Sequence, residues 1–81
     1  MAGELTAEAV IVALRYLVDR AGSGRRWAAA NGLSPAYVNA VLRGFRTPGD
    51  DICRVLGLTR IANVSYRPSA KFHALMEGRK P

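Results

Sequence analysis

Two short runs containing apolar residues, each opened by a serine and closed by a glycine, meet between Ser23 and Gly44 in the stretch SGRRWAAANGLSPAYVNAVLRG. No other feature limits so strongly what the chain can become. Ser23 and Ser34 lie eleven residues apart, and a serine hydroxyl at such a place satisfies one of the amide donors that a helix start leaves unpaired. Pro35 follows the second serine and suits a first helical turn, where the missing N–H has no intrahelical partner to lose. Gly32 and Gly44 end the runs, because glycine takes the left-handed conformation past a helix end without a Cβ clash. The turn between the two predicted helices is then Gly32 and Leu33 alone. Helices joined this tightly cannot run antiparallel and are expected to cross steeply, as in a helix-turn-helix.

The spacing sharpens this reading. Ala28 puts a small side chain where two crossing backbones come close, and Trp27, Leu33, Val38 and Val41 supply apolar positions around it. On these residues the chain resembles the helix-turn-helix family of phage Cro and cI repressors and their bacterial relatives, over roughly Leu5 to Leu58. The stretch GFRTPGDDICRVLGL, from Gly44 to Leu58, is similar to the G-x-R-x-P loop and following helix of that family. Two departures from it stand out. Asn31 stands where relatives bury an apolar residue, and Pro35 and Ala36 stand where the best-known repressors carry base-reading glutamines. The resemblance implies a mainly α fold, a compact four-helix helix-turn-helix domain of repressor type over residues 1–58.

Charge narrows the class of partner. The 81 residues carry 12 Lys and Arg against 6 Asp and Glu, a net charge of +6, with an isoelectric point near 10.5. A polyanion is the expected partner, nucleic acid first and an anionic membrane surface second. Ten of the cations are arginine, whose fork-shaped guanidinium grips phosphates and guanine edges in bidentate fashion. Between Ser23 and Gly49 stand Arg25, Arg26, Arg43 and Arg46 with no acidic residue; the bland alternative is a solvated surface. An apolar fraction of 49% suits a folded domain rather than a disordered chain. One cysteine cannot close an internal disulfide and one histidine offers no zinc constellation, so neither metal nor cofactor is expected. The longest wholly apolar run, Ala9 to Leu14, is too short for a membrane span or a signal-peptide core. The chain therefore reads as a cytoplasmic protein of a bacterial host cell, working on DNA and not on a membrane.

Along the chain, Met1 to Leu5 is expected to fray, and Thr6 caps a first helix that runs to about Ala21 with Glu8 in its first turn. Ala7, Val10, Ile11, Leu14, Leu17, Val18 and Ala21 recur at three- and four-residue spacing and form its buried stripe. Val12 and Tyr16 widen that stripe, toward the core, the C-terminal segment or a second subunit. Trp27 reads as core, and Cys53 as a small buried hydrophobe. Thr47 and Pro48 announce a fourth helix, as cap and first helical residue, with Asp50 and Asp51 as capping and dipole partners and Ile52, Val55 and Leu56 facing inward. From Thr59 to Arg67, alternating Ala62, Val64 and Tyr66 predict a strand stopped by Pro68. A lone strand has unpaired edges. The segment 59–81 is therefore expected to make a homodimer, strand to strand through Ile61, Ala62, Val64 and Tyr66, with Phe72, Leu75 and Met76 of a short helix packed over the joint. His73 beside them reads as exposed or packed.

Carried onto this sequence, the groove-facing positions of the family fall on Ser34, Pro35, Ala36, Asn39, Ala40 and Arg43. Asn39 can pair with adenine, Arg43 with guanine or phosphate, and Pro35 and Ala36 can touch thymine methyls. Arg25, Arg26 and Arg46 are the expected phosphate clamps, helped by amides at the start of the second helix. Tyr37 beside them is either half-buried packing or packing with its hydroxyl on a phosphate. The implied function is sequence-specific binding of double-stranded DNA by a homodimeric transcriptional regulator. A second class stays open, a protein-interaction module on the same scaffold, antirepressor or antitoxin-like, because fold does not fix function. No catalytic residue is expected, since the sequence offers no glycine-rich phosphate loop, no metal cluster and no nucleophile paired with a base.

Overall fold

The computed structural model describes residues 4–62 and 65–78. It is mainly helical, with the elements in the order β1 (Leu5–Thr6), α1 (Ala7–Ala21), α2 (Gly24–Ala30), α3 (Pro35–Leu42), α4 (Asp50–Leu56), β2 (Leu58–Ala62), β3 (Ser65–Pro68) and α5 (Ala70–Met76). The three strands form one antiparallel sheet in the order β1-β3-β2.

Local chemistry accounts for the helix limits. Thr6, Ser23 and Ser34 each accept a hydrogen bond from the amide three residues on, those of Ala9, Arg26 and Tyr37, at 3.1, 3.1 and 3.3 Å. At the end of α2 the backbone turns back on itself: Gly32 sits at φ +69°, and the Leu33 amide donates to the Ala28 carbonyl at 2.8 Å. That geometry needs a left-handed residue, which glycine adopts without cost to a Cβ. The end of α3 repeats the pattern, with the Phe45 amide donating to the Ala40 carbonyl at 2.9 Å. Asn31 caps α2 and turns its amide inward, Nδ2 donating to the Trp27 carbonyl at 2.8 Å.

Val10, Leu14, Val18, Trp27, Ala28, Val38, Val41, Ile52 and Leu56 form the core, with Ala28 fully buried as the small residue between α2 and its neighbours. Cys53 is buried with them, and burial raises its thiol pKa, with Arg60 opposing and Asp50 adding to the shift. Ala13 joins the buried stripe of α1, while Ala7, Ile11, Leu17 and Ala21 are partly buried along it. Within one chain Val12 and Tyr16 do not widen that buried stripe. They are 68% and 40% exposed, and Arg20 rather than the core covers Tyr16, its guanidinium 5.6 Å from the ring and donating to the hydroxyl at 3.3 Å.

Three further expectations change. The helix expected at Thr47 starts instead at Asp50 with Gly49 as its cap. Tertiary contacts hold the intervening backbone extended, since the Gly49 amide donates to Tyr37 Oη at 2.8 Å and the Pro48 carbonyl accepts from Tyr66 Oη at 2.9 Å. Leu5 is not frayed but pairs with Tyr66 in β1, while residues 1–3 lie outside the described residues. The strand expected to lack a partner within its own chain is a hairpin of β2 and β3, with Thr59 opposite Arg67 and an irregularity between Arg60 and Ala62. Two of the proposed dimer residues, Tyr66 at 0% exposure and Phe72, are thereby core residues of a single chain, packed against the same cluster as α1 and α4. Their side chains are covered within the one chain. Val64 lies outside the described residues.

Candidate functional site

The α3 helix has two unlike sides. Val38 and Val41 are buried, Tyr37, Ala40 and Leu42 are half-buried, and Ser34, Pro35, Ala36, Asn39 and Arg43 are exposed. The three- and four-residue spacing of a helix explains the sorting, since Val38 and Val41 point to the core and 35, 36, 39 and 43 to the opposite face. Arg15 fixes the far end of this helix by donating from its guanidinium to the Leu42 carbonyl at 2.8 Å. Sequence reasoning missed that tie because it spans 27 positions and leaves no local pattern.

Two open depressions flank α3. The first is lined by Gly24 and Arg25 of α2 together with Pro35, Ala36, Asn39 and Leu42. It brings one expected phosphate clamp, Arg25, beside the expected base-facing residues. The second is lined by Ser34, Tyr37, Arg46, Gly49, Asp50 and Asp51, and the Arg46 guanidinium lies 5.3 Å from the centre of the Tyr37 ring. Tyr37 Oη, already accepting from Gly49, keeps its own proton to donate outward. The acid-free stretch of sequence is therefore not an acid-free surface. The first turn of α4 brings two carboxylates next to Arg46, with Asp51 held by Arg54 at 3.1 Å and Asp50 by Arg60 at 3.9 Å.

Arg26 lines neither depression. Its guanidinium lies against Gly22, 3.3 Å from where a Cβ on that glycine would stand. Arg43 caps the C-terminus of α3 and its guanidinium lies 5.6 Å from the centre of the Phe45 ring. Phe45, 75% exposed, is the surface residue the sequence reading passed over. Its position two past the cap residue Arg43, just after a left-handed glycine, often packs back on the helix, and here it does not. Of the proposed dimer residues, Ile61 is 41% exposed on β2, an outer strand of the sheet, and Leu75 and Met76 are half-buried on α5.

Among the described residues no group of three His, Cys, Asp or Glu side chains could hold a metal ion, and no helix is long and apolar enough to cross a membrane. Comparisons of the chain with protein-family models, with curated proteins and with solved structures found no match.

Proposed function

We propose that the chain is a sequence-specific binder of double-stranded DNA, a regulator of phage or bacterial repressor type in which α2 and α3 act as a helix-turn-helix. The observation that carries this reading is the sorting of α3, whose exposed side presents Pro35, Ala36, Asn39 and Arg43 while Arg25 and Arg46 stand in the depressions to either side. In this reading α3 enters the major groove, Asn39 and Arg43 read base edges, and Arg25 and Arg46 bind flanking phosphates. Arg26, turned toward Gly22, contributes charge at longer range. The protein works in the cytoplasm of a bacterial cell, as a dimer, because two copies on half-sites one helical turn apart give the discrimination that one short recognition helix lacks. Of the residues expected to make that pairing, Ile61 is exposed on the outer strand β2.

Titration of duplex DNA at several salt concentrations tests the reading. About six to eight phosphate contacts per dimer give a slope of log K against log salt of roughly −5 to −7. A slope near zero overturns it. Selection from random duplexes then separates reading from gripping: Asn39→Ala or Arg43→Ala should relax one base-pair preference by about 1 to 3 kcal/mol, while Arg46→Ala should weaken all sequences alike.

A second reading is a protein-interaction module on the same scaffold. Exposed Phe45 and the carboxylates of Asp50 and Asp51 beside Arg46 favour it, since an exposed aromatic suits a protein contact and acids repel phosphates. Sequence-independent loss of a protein partner on Phe45→Ala, with no DNA binding at low salt, would select this alternative.

A further inference from the structure

On the α5 side of the molecule lies a pocket that shares no lining residue with the two depressions around α3. Leu17 of α1, Trp27 of α2, Val55 of α4 and Leu75 of α5 wall a cavity of about 350 Å³, within the range of about 300 to 1,000 Å³ typical of small-molecule sites. Leu17, Val55 and Leu75 are only half-buried. Apolar carbon thus remains in contact with water, and an apolar body filling the pocket would remove it from water.

The polar lining has one sign. Arg54 and Lys71 stand at the rim beside the amide of Asn31, and no carboxylate is among the described residues that line the pocket. Lys71 Nζ donates to the Arg54 carbonyl at 3.2 Å, which holds the ammonium at the edge. Among the described residues no acid pairs with Lys71, whereas Arg54 pairs with Asp51 at 3.1 Å. Both members of that pair are well exposed, and an exposed pair is worth little enough for a better-placed anion to compete for the guanidinium.

We propose that this pocket binds a small amphiphilic carboxylate, its apolar body against Trp27, Leu17, Val55 and Leu75 and its carboxylate on Lys71 and Arg54. Residues of four elements converge on this half-open space, whose size suits one compact ligand. The inference does not rest on DNA binding.

Trp27 is the one tryptophan of the chain, so its emission reports on the pocket directly. Full-length protein is titrated with octanoate, octylammonium and octanol below their aggregation limits. Octanoate should change the emission saturably, octylammonium should bind roughly tenfold more weakly or worse, and Lys71→Glu should weaken octanoate roughly tenfold, by Coulomb repulsion at the rim. If Lys71→Glu loses helical circular dichroism, Lys71→Gln serves instead, with an expected weakening of about threefold. Amide shifts in a ¹H–¹⁵N spectrum should centre on Asn31, Val55 and Leu75. Absence of a saturable response, equal binding of octylammonium, or shifts centred on Arg25, Pro35 and Asn39 would overturn the proposal.

Discussion

The Tyr66 hydroxyl is the polar group with most at stake in this core. The side chain is fully buried, and its hydroxyl donates to the Pro48 carbonyl at 2.9 Å across 18 positions of sequence. A buried carbonyl that loses its donor keeps its desolvation cost without compensation, so Tyr66→Phe should lower stability by about 1 to 3 kcal/mol, measured by urea unfolding near neutral pH. The same hydroxyl makes stability depend on pH. Burial raises its pKa above the usual 10.0, with Arg60 opposing and Cys53 and Tyr37 adding to the rise. A raised pKa means that the folded state favours the protonated form. Its contribution is therefore complete below pH 10 and is lost as pH climbs through the raised value. The gap in stability between the native chain and Tyr66→Phe should narrow above pH 10; a gap that widens there would contradict this account. Tyr66 also shows why one residue's role can hide in a sequence. Its place in an alternating run is visible, but alternation does not say whether the inward face meets its own core or another subunit.

Among the elements, the helices were the legible part. Each of Thr6, Ser23 and Ser34 acts on an amide three residues away, so the signal and the structure it causes sit together in sequence. The exposed face of α3 was legible for the same reason, being a matter of helical period. The sheet was not. Its hairpin has neither glycine nor an Asn-Gly pair between Ala62 and Ser65, which removes the usual local sign of a two-stranded turn. β1 pairs Leu5 with Tyr66, a contact that no window of sequence contains. Between α4 and the sheet, Gly57 joins the two kinds of structure, and it differs from Gly32 in a testable way. Both have positive φ, but a Cβ on Gly32 would meet nothing within 4 Å. On Gly57 it would stand 2.7 Å from Ser69 Oγ, 2.8 Å from Lys71 Cβ and 3.0 Å from the Phe72 amide nitrogen. The serine hydroxyl can rotate away, but the other two atoms cannot move unless α5 shifts. Gly32→Ala should thus cost only the left-handed conformation, about 1 to 2 kcal/mol, and Gly57→Ala that plus overpacking, about 2 to 5 kcal/mol in all. Equal shifts in urea midpoint for the two variants would show that α5 is not held against Gly57.

For the whole molecule, the decisive question is whether residues 59–81 are an extension or part of the fold. The sequence reading makes 1–58 self-sufficient and lets the remainder serve pairing, because the resemblance ends near Leu58. In the structure one core spans both segments. Tyr66 and Phe72 are buried in the cluster that holds Val10, Leu14, Ile52 and Leu56; β3 lies between β1 and β2; and α5 packs on α1 and α4. Removing a buried Phe-sized side chain costs about 3 to 5 kcal/mol. Loss of both Tyr66 and Phe72, with the partner strand of β1, therefore approaches the whole stability of a small domain, about 5 to 15 kcal/mol. A chain ending at Leu58 should consequently fail to give a cooperative thermal transition and should show weakened helical circular dichroism, whereas Ile61→Lys, altering an exposed residue on the outer strand, should fold normally. The two variants separate folding from assembly. If Ile61→Lys sediments as a monomer while the native chain is a dimer, the outer strand β2 carries the pairing. Should the chain ending at Leu58 melt cooperatively near the temperature of the full chain, the core does not depend on Tyr66 and Phe72 in the way their burial requires.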